Sequence, residues 1–240
     1  MAKQRARRSS PLYMPSAWSL FKPSRDLFMN NINVFAPLYV LPLILWLHSW
    51  ISIPAHGGNY WQRLSDANFA WPTVPTTYLG IFIGFSIIWL IFTLIAGTLV
   101  QVMLQKAQLE LSKDKHVELD QLWQYAKTNW LELLKLYIVL AVIIGIGFAL
   151  LIVPGLILMR RYFFAPYVMI DKKCGIKEAL EGSHAISNRN TGAVWGLIGV
   201  LFVISLIGIL PIIGSLASFV LGALYSIAPA MRYQQLKNLV

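Results

Sequence analysis

Apolar and polar residues follow one another along this chain in long blocks. The first block, NVFAPLYVLPLILWLHSWISI, runs from Asn33 to Ile53 and matches the roughly 20 residues a helix needs to cross hydrocarbon. Pro37 and Pro42 lie inside it, which membrane helices tolerate when neighbouring groups take up the freed carbonyls. Ahead of it, SAWSLFKPSRDLFMNN mixes Trp18, Phe21, Leu27 and Phe28 with basic residues, as suits a segment lying among headgroups. A second block, about Tyr78 to Leu104, is long enough to cross with a tilt. The polar loop between them, residues 54–77, has Arg63 as its one basic residue and carries Tyr60, Trp61, Phe69 and Trp71. Aromatics of this kind settle at a membrane–water interface.

Beyond the second block the period changes. Leu119, Leu122, Trp123, Ala126, Trp130 and Leu133 recur at three-and-four spacing, with Asp120, Gln121, Lys127 and Glu132 opposite. This predicts an amphipathic helix over 116–133, resting on the membrane surface or on the protein's own helices. From Leu134 to Ile170 the chain is apolar apart from Arg160 and Arg161, too long for one straight span. Val153-Pro154-Gly155 offers a break, because proline donates no backbone hydrogen bond and glycine permits a turn. The expectation is a hairpin of helices 134–153 and 156–170. A weaker stripe follows at Ile176, Ala179, Leu180, Ser183 and Ile186, and a second hairpin, about 193–210 and 212–231, breaks at Pro211.

Charge selects the topology. The chain has 20 Lys and Arg against 10 Asp and Glu, a net charge of +10, and 57% apolar residues. The basic residues cluster in the N-terminal tail (Lys3, Arg5, Arg7, Arg8, Lys22, Arg25) and in the polar segments between blocks. Lys and Arg beside spans mark the cytoplasmic side and attract anionic headgroups. With 134–170 as a hairpin, Lys172, Lys173, Lys177 and Arg189 share that side with the tail; with a single crossing they would lie outside. The expected fold is all-α and polytopic: about six membrane helices in three hairpins (33–53, 78–104, 134–153, 156–170, 193–210, 212–231), with amphipathic surface helices. It comprises a basic interfacial tail (1–31), one integral membrane domain (32–232) and a short C-terminal tail (233–240), both termini cytoplasmic. No aromatic-interleaved basic face or soluble module accompanies the charge, so no nucleic-acid partner is expected.

A shift of 57 residues lays Leu119, Leu122, Trp123 and Ala126 over Ile176, Ala179, Leu180 and Ser183, and Pro154 over Pro211. A duplicated surface helix plus hairpin would produce this, and so would shared physics alone. The stretch IVPGLILMRRYFFAPYVMIDKKCGIKEALEGSHAIS, with an amphipathic lead-in and a membrane hairpin after it, resembles the membrane domain attached to certain glycerophosphoryl diester phosphodiesterases and its stand-alone bacterial relatives. The matching positions are Pro154, Gly155, Arg160 or Arg161, Pro166, Asp171, Ala179, Leu180 and Ser183. The resemblance covers about residues 115–235. It implies a helical membrane architecture in a bacterial inner membrane and no chemistry of its own, because the phosphodiesterase domain is missing.

Catalysis needs converging acids, bases or ligands. His48, His56, His116 and His184 fall in separate segments, and every carboxylate lies outside the expected spans or at their ends. Intramembrane acids, which proton-coupled carriers use, are missing from the pattern. Gly182-Ser183-His184 places a hydroxyl beside an imidazole, but neighbours on a helix point about 100° apart. No catalytic residue, metal ligand or cofactor is therefore expected. The expected role is non-catalytic, organising lipids or protein partners, homo-oligomers included; transport or lipid handling is the alternative. Arg160 and Arg161 are the candidate contacts to an anionic lipid headgroup, expected near the outer turn at Pro154-Gly155. An interfacial anchor is the simpler role for the pair.

The lone cysteine, Cys174, reports the topology. A membrane-impermeant maleimide is expected to label it only after cells are permeabilised. Labelling of sealed cells would overturn a cytoplasmic 171–191 segment.

Overall fold

The computed structural model describes residues 15–57, 76–210 and 213–239. The segment with Arg63 and Asp66 that is expected to face outward, the first basic residues of the tail, the expected break at Pro211 and the side chains of His48 and His56 lie outside the described residues. The described chain is all-helical, with no strand among the described residues. A 3₁₀ turn, Ala17–Leu20, leads into α1 (Phe21–Asn30), α2 (Ile32–Gly57), α3 (Thr76–Leu111), α4 (Leu119–Leu150) and α5 (Ile152–Tyr162). There follow α6 (Ala165–Lys172), α7 (Ile176–Arg189), α8 (Thr191–Ile207), α9 (Ile213–Leu224) and α10 (Ala228–Lys237). Three stretches, Ile83–Leu111, Leu119–Leu150 and Ile213–Lys237, are long and apolar enough to cross a membrane. The number rises to five if the bent pairs Ala17–Asn30 with Ile32–Leu45 and Ile176–Arg189 with Thr191–Ile207 each count as one span.

Helix ends depart from the expected ones wherever polarity was used to place them. Helix α3 runs for 36 residues, well past Leu104, because nothing in QKAQLEL disfavours a helix. Its apolar residues from Ile83 to Ile95 are largely exposed, whereas Val102, Leu104, Ala107, Leu109 and Leu111 are buried. The surface helix 116–133 and the membrane helix 134–153 are one uninterrupted helix of 32 residues, α4. A change from amphipathic to apolar composition alters what a helix faces without breaking its hydrogen bonds.

The 156–170 helix is corrected in the opposite sense. The chain breaks one turn earlier than expected, at Leu151, which is extended (φ −163°, ψ 151°), and α5 is only 11 residues long. After Phe163 and Phe164 a separate helix, α6, starts with Ala165-Pro166 at its first two positions, where a missing proline N–H leaves no bond unmade. The last expected helix splits likewise, into α9 and α10, and α10 also opens on Ala-Pro (Ala228-Pro229). Two short helices thus open on the same Ala-Pro pair, each a few residues after the helix before it ends. Chain after residue 232 is no free tail, since Tyr233 and Leu236 are fully buried in α10.

The described residues form two compact units. The first joins residues up to Asn30, the Gln108–Lys115 turn and everything from Leu136 onward; α7 packs on α5 and α6, and α8 on α9. Its N-terminal segment is built in. Leu20, Ser24 and Phe28 are buried, Ser24 Oγ donates to the Leu224 carbonyl at 2.8 Å, and Tyr225 donates to the Ala17 carbonyl at 2.8 Å. The second unit holds residues 31–107 and 116–135, where Lys106 Nζ lies 4.9 Å from the Tyr125 ring centre.

The amphipathic stripe of α4 divides by exposure. Leu122, Ala126 and Leu133 are buried, while Leu119 and Trp123 remain more than a third exposed. Truncating a buried leucine removes contacts and leaves a cavity. Leu122→Ala is therefore expected to lower stability by about 2–4 kcal/mol and Trp123→Ala by less than about 1 kcal/mol. Thermal unfolding in mild detergent reads both, and equal losses would mean that Trp123 is also packed.

Candidate functional site

The first unit is organised around a carboxylate. Asp171, near the end of α6, receives Lys113 Nζ on one oxygen at 2.7 Å. The other oxygen takes Lys237 Nζ at 2.7 Å and the Tyr233 hydroxyl at 2.9 Å. These donors come from the turn after α3 and from α10, so one side chain ties three distant stretches together. Burial pushes the Asp171 carboxyl up, but the two ammonium groups and the phenol outweigh it and hold its pKa down at about 2. Around this node Phe164 and Tyr167 of α6 lie 6.1 and 6.2 Å from the Tyr233 ring. Tyr167 also donates to Gln108 at 2.9 Å. Phe164, Ala165, Val168 and Ile170 are buried with them.

The arginine pair sits at the foot of α5, at its join to this base. Arg160 is buried and its guanidinium donates to the hydroxyl of Thr191, the first residue of α8. Thr191 Oγ in turn donates to the Asn188 carbonyl at 3.1 Å. The side chain thus reaches the α7–α8 corner, where the two helices bend by 99°, and does not extend back toward the turn at Pro154-Gly155 as expected. Arg161 differs: its carbonyl accepts from Ser183 Oγ at 2.9 Å, and its buried Nε has no hydrogen-bond partner. Ser183 also accepts the Phe164 N–H at 3.1 Å, so its hydroxyl is spent on the chain turn between α5 and α6. His184 stands in the electrostatic neighbourhood of both arginines, with its Nδ1 buried and unbonded.

Beside this corner lies a groove of about 730 Å³. Its polar end is Arg189, Asn190 and Thr191; its floor is the small-residue face of α8, Gly192, Ala193, Gly196 and Gly199, with Val203 beyond. Pro15 to Trp18 form the other wall, and no carboxylate lines it. Buried Arg232 closes one end and donates to the Pro15 carbonyl at 2.8 Å. At the head of α8 the Asn190 side chain makes no capping bond. The Ala193 and Val194 amides donate to the Asn190 carbonyl at 3.1 and 3.3 Å, which leaves the earlier amides of Thr191 and Gly192 to meet an anion. One end of the groove therefore favours negative charge and the rest is smooth and apolar. No group of three or more His, Cys, Asp or Glu that could hold a metal exists among the described residues.

Sequence reading singled out Arg160 and Arg161 but missed the residue lining the groove, Arg189, and the node at Asp171. The groove depends on Arg189 and Gly196 facing one way across a helix bend. Comparison with protein-family models, with curated proteins and with solved structures finds no match to this chain.

The Asp171 node has a pH signature. The carboxyl titrates at about 2 in the folded protein against an ordinary 3.8, so the unfolded chain takes up the proton first. Its stabilisation is complete above pH about 4 and disappears as pH falls toward 2. Asp171→Asn is expected to lose about 2 kcal/mol at neutral pH and to flatten stability across that window. An unchanged profile in denaturant titrations between pH 2 and 5 would show that the node contributes nothing.

Proposed function

We propose that this chain is a non-catalytic integral membrane protein of the bacterial cytoplasmic membrane that seats an anionic phospholipid in the groove beside α8. Both termini and the basic segments face the cytoplasm, and the helices are arranged as three hairpins. The observation that carries this reading is the groove's division into a cationic, amide-rich head and a carboxylate-free apolar trough. A phosphodiester headgroup suits the Arg189 fork and the free amides of α8, and an acyl chain suits the strip at Gly196 and Gly199.

The arginine pair then divides its work. Arg160 fixes Thr191, and with it the corner that presents Arg189, so it positions the headgroup contact without making it. A non-catalytic role is supported by the fate of the motif residues. Asp171, Ser183 and Arg160 are each engaged in bonds within the protein, Pro166 opens α6, and Ala179 is buried. We propose the kinship with the membrane domain attached to glycerophosphoryl diester phosphodiesterases on the motif positions of the sequence alone.

Arg189→Gln removes the charge at the rim. A Cβ at Gly199 would meet nothing within 4 Å, so Gly199→Leu fills the trough without disturbing the backbone. Purified in mild detergent and analysed for bound lipid, Gly199→Leu is expected to lose bound lipid whatever its headgroup, and Arg189→Gln to lose about tenfold of its anionic-over-zwitterionic preference. Such a change corresponds to one charged hydrogen bond, or about 1.4 kcal/mol. Native lipid content and ratio in both variants, with both folded, would reject the lipid seat.

A further inference from the structure

Two turns in the first unit are apolar and hold the most exposed large apolar side chains among the described residues. At the α4–α5 turn Leu150, Leu151, Ile152 and Val153 are 71, 68, 70 and 65% exposed. At the α8–α9 turn Ile209, Leu210 and Ile213 are 75, 63 and 82% exposed. Residues 149–159 (ALLIVPGLILM) and 206–214 (LIGILPIIG) contain no polar side chain. The sequence supplies its own contrast in residues 58–75, which include Arg63, Asp66, Tyr60 and Trp61, side chains suited to water and headgroups.

Lengths point the same way. The last charge before the first turn is Lys135, paired with Glu132 at 2.7 Å, and from there α4 extends only about 22 Å at roughly 1.5 Å per residue. The returning α5 has 11 residues, about 16 Å, and ends at the buried Arg160. In the second hairpin α8 has 17 residues, about 25 Å, and α9 has 12, about 18 Å. Although Ile213–Lys237 is long enough to cross, its second half holds Arg232 and Tyr233, locked to Pro15 and Asp171. Helix Leu119–Leu150 as a whole is long enough to cross, but counted from Lys135 it falls short of the roughly 30 Å of a hydrocarbon core, as α5, α8 and α9 do over their full lengths.

Part of the backbone of each turn closes on itself. Leu151 N–H donates to Gly147 at 3.1 Å and Gly155 N–H to Leu151 at 3.4 Å, while Pro154 has no N–H to satisfy. In the other turn Gly208, Ile209, Leu210 and Ser215 N–H groups donate to Ser205, Leu206, Ile207 and Leu210 at 3.0–3.2 Å. Close approach keeps each tip narrow: a Cβ at Gly155 would lie 2.5 Å from the Phe148 ring, and one at Gly214 only 2.2 Å from the Ile207 carbonyl oxygen. Backbone that turns inside hydrocarbon must satisfy itself in this way.

We propose that both hairpins are re-entrant: they enter the bilayer from the face occupied by the Asp171 base, and their apolar tips end within the hydrocarbon without reaching the far side. The tips are a lipid-contact surface whose partner is acyl chain. This stands on the turns alone and does not depend on the lipid groove.

The test places single cysteines at Leu151 and Ile209 in a Cys174→Ser background, with Ser65→Cys as the loop that emerges and native Cys174 as the base-side marker. In oriented vesicles an impermeant maleimide is expected to reach positions 65 and 174 from opposite faces and positions 151 and 209 from neither. A membrane-permeant maleimide should still label both tips. Spin labels at 151 and 209 are expected to show high oxygen and low nickel-chelate accessibility, the pattern of the bilayer interior. Labelling of either tip from the face that labels position 65 would show a full crossing and overturn the proposal. Labelling from the face of position 174, or an interfacial depth, would place the tips outside the hydrocarbon and overturn it equally.

Discussion

The arrangement of the first unit depends on how one carboxylate is satisfied. Asp171 receives three donors from two other stretches of chain, Lys113, Tyr233 and Lys237, in a site where its side chain is only 10% exposed. A carboxylate so enclosed is tolerable only while its partners stay in place, so the node specifies which helix ends meet. It sets α6 against α10 and brings their aromatic faces together at Phe164, Tyr167 and Tyr233. Because the lysines keep 23 and 30% exposure, the cluster sits where water still reaches one side. That places it at an edge of the apolar region.

From that base the rest follows as a matter of where hydrogen bonds can be made. The apolar end of α4 is followed by the shorter α5, and α8 by the shorter α9. At those apolar turns the backbone bonds that form are local ones, at Leu151, Gly155 and Gly208 to Leu210. At the other end, polar side chains are available, and the turns there are stitched by Ser183, Thr191 and Ser24. The two ends thus meet the same backbone requirement by different means.

Much of this was legible in the sequence, and the part that was not has a common cause. Hydropathy found the apolar blocks, the break near Pro154 and the amphipathic faces, since burial in lipid or protein draws on the same side chains. It misplaced helix ends because it reads environment, while helices end by backbone rules. Leu119–Leu150 continues straight through a change of environment, and the chain breaks at Phe163 and Phe164 inside an unbroken apolar run. The second break is encoded by Ala165-Pro166, a start signal that the apolar run concealed. The groove was illegible for a different reason, since it needs the 99° corner to turn Arg189 and the glycines of α8 toward the N-terminal segment.

The two arginines bring these strands together. Adjacent helix residues point about 100° apart, so one cannot substitute for the other. Arg160 turns to the head of α8 and closes the corner through Thr191, while Arg161 gives its carbonyl to Ser183. Neither marks the tip of the hairpin, although both stand only a few residues from Pro154. They mark the foot of a helix of 11 residues, where the chain turns into α6 and meets α7 and α8. Charge is placed in the middle of this apolar stretch because the middle of the stretch is where the short helix ends.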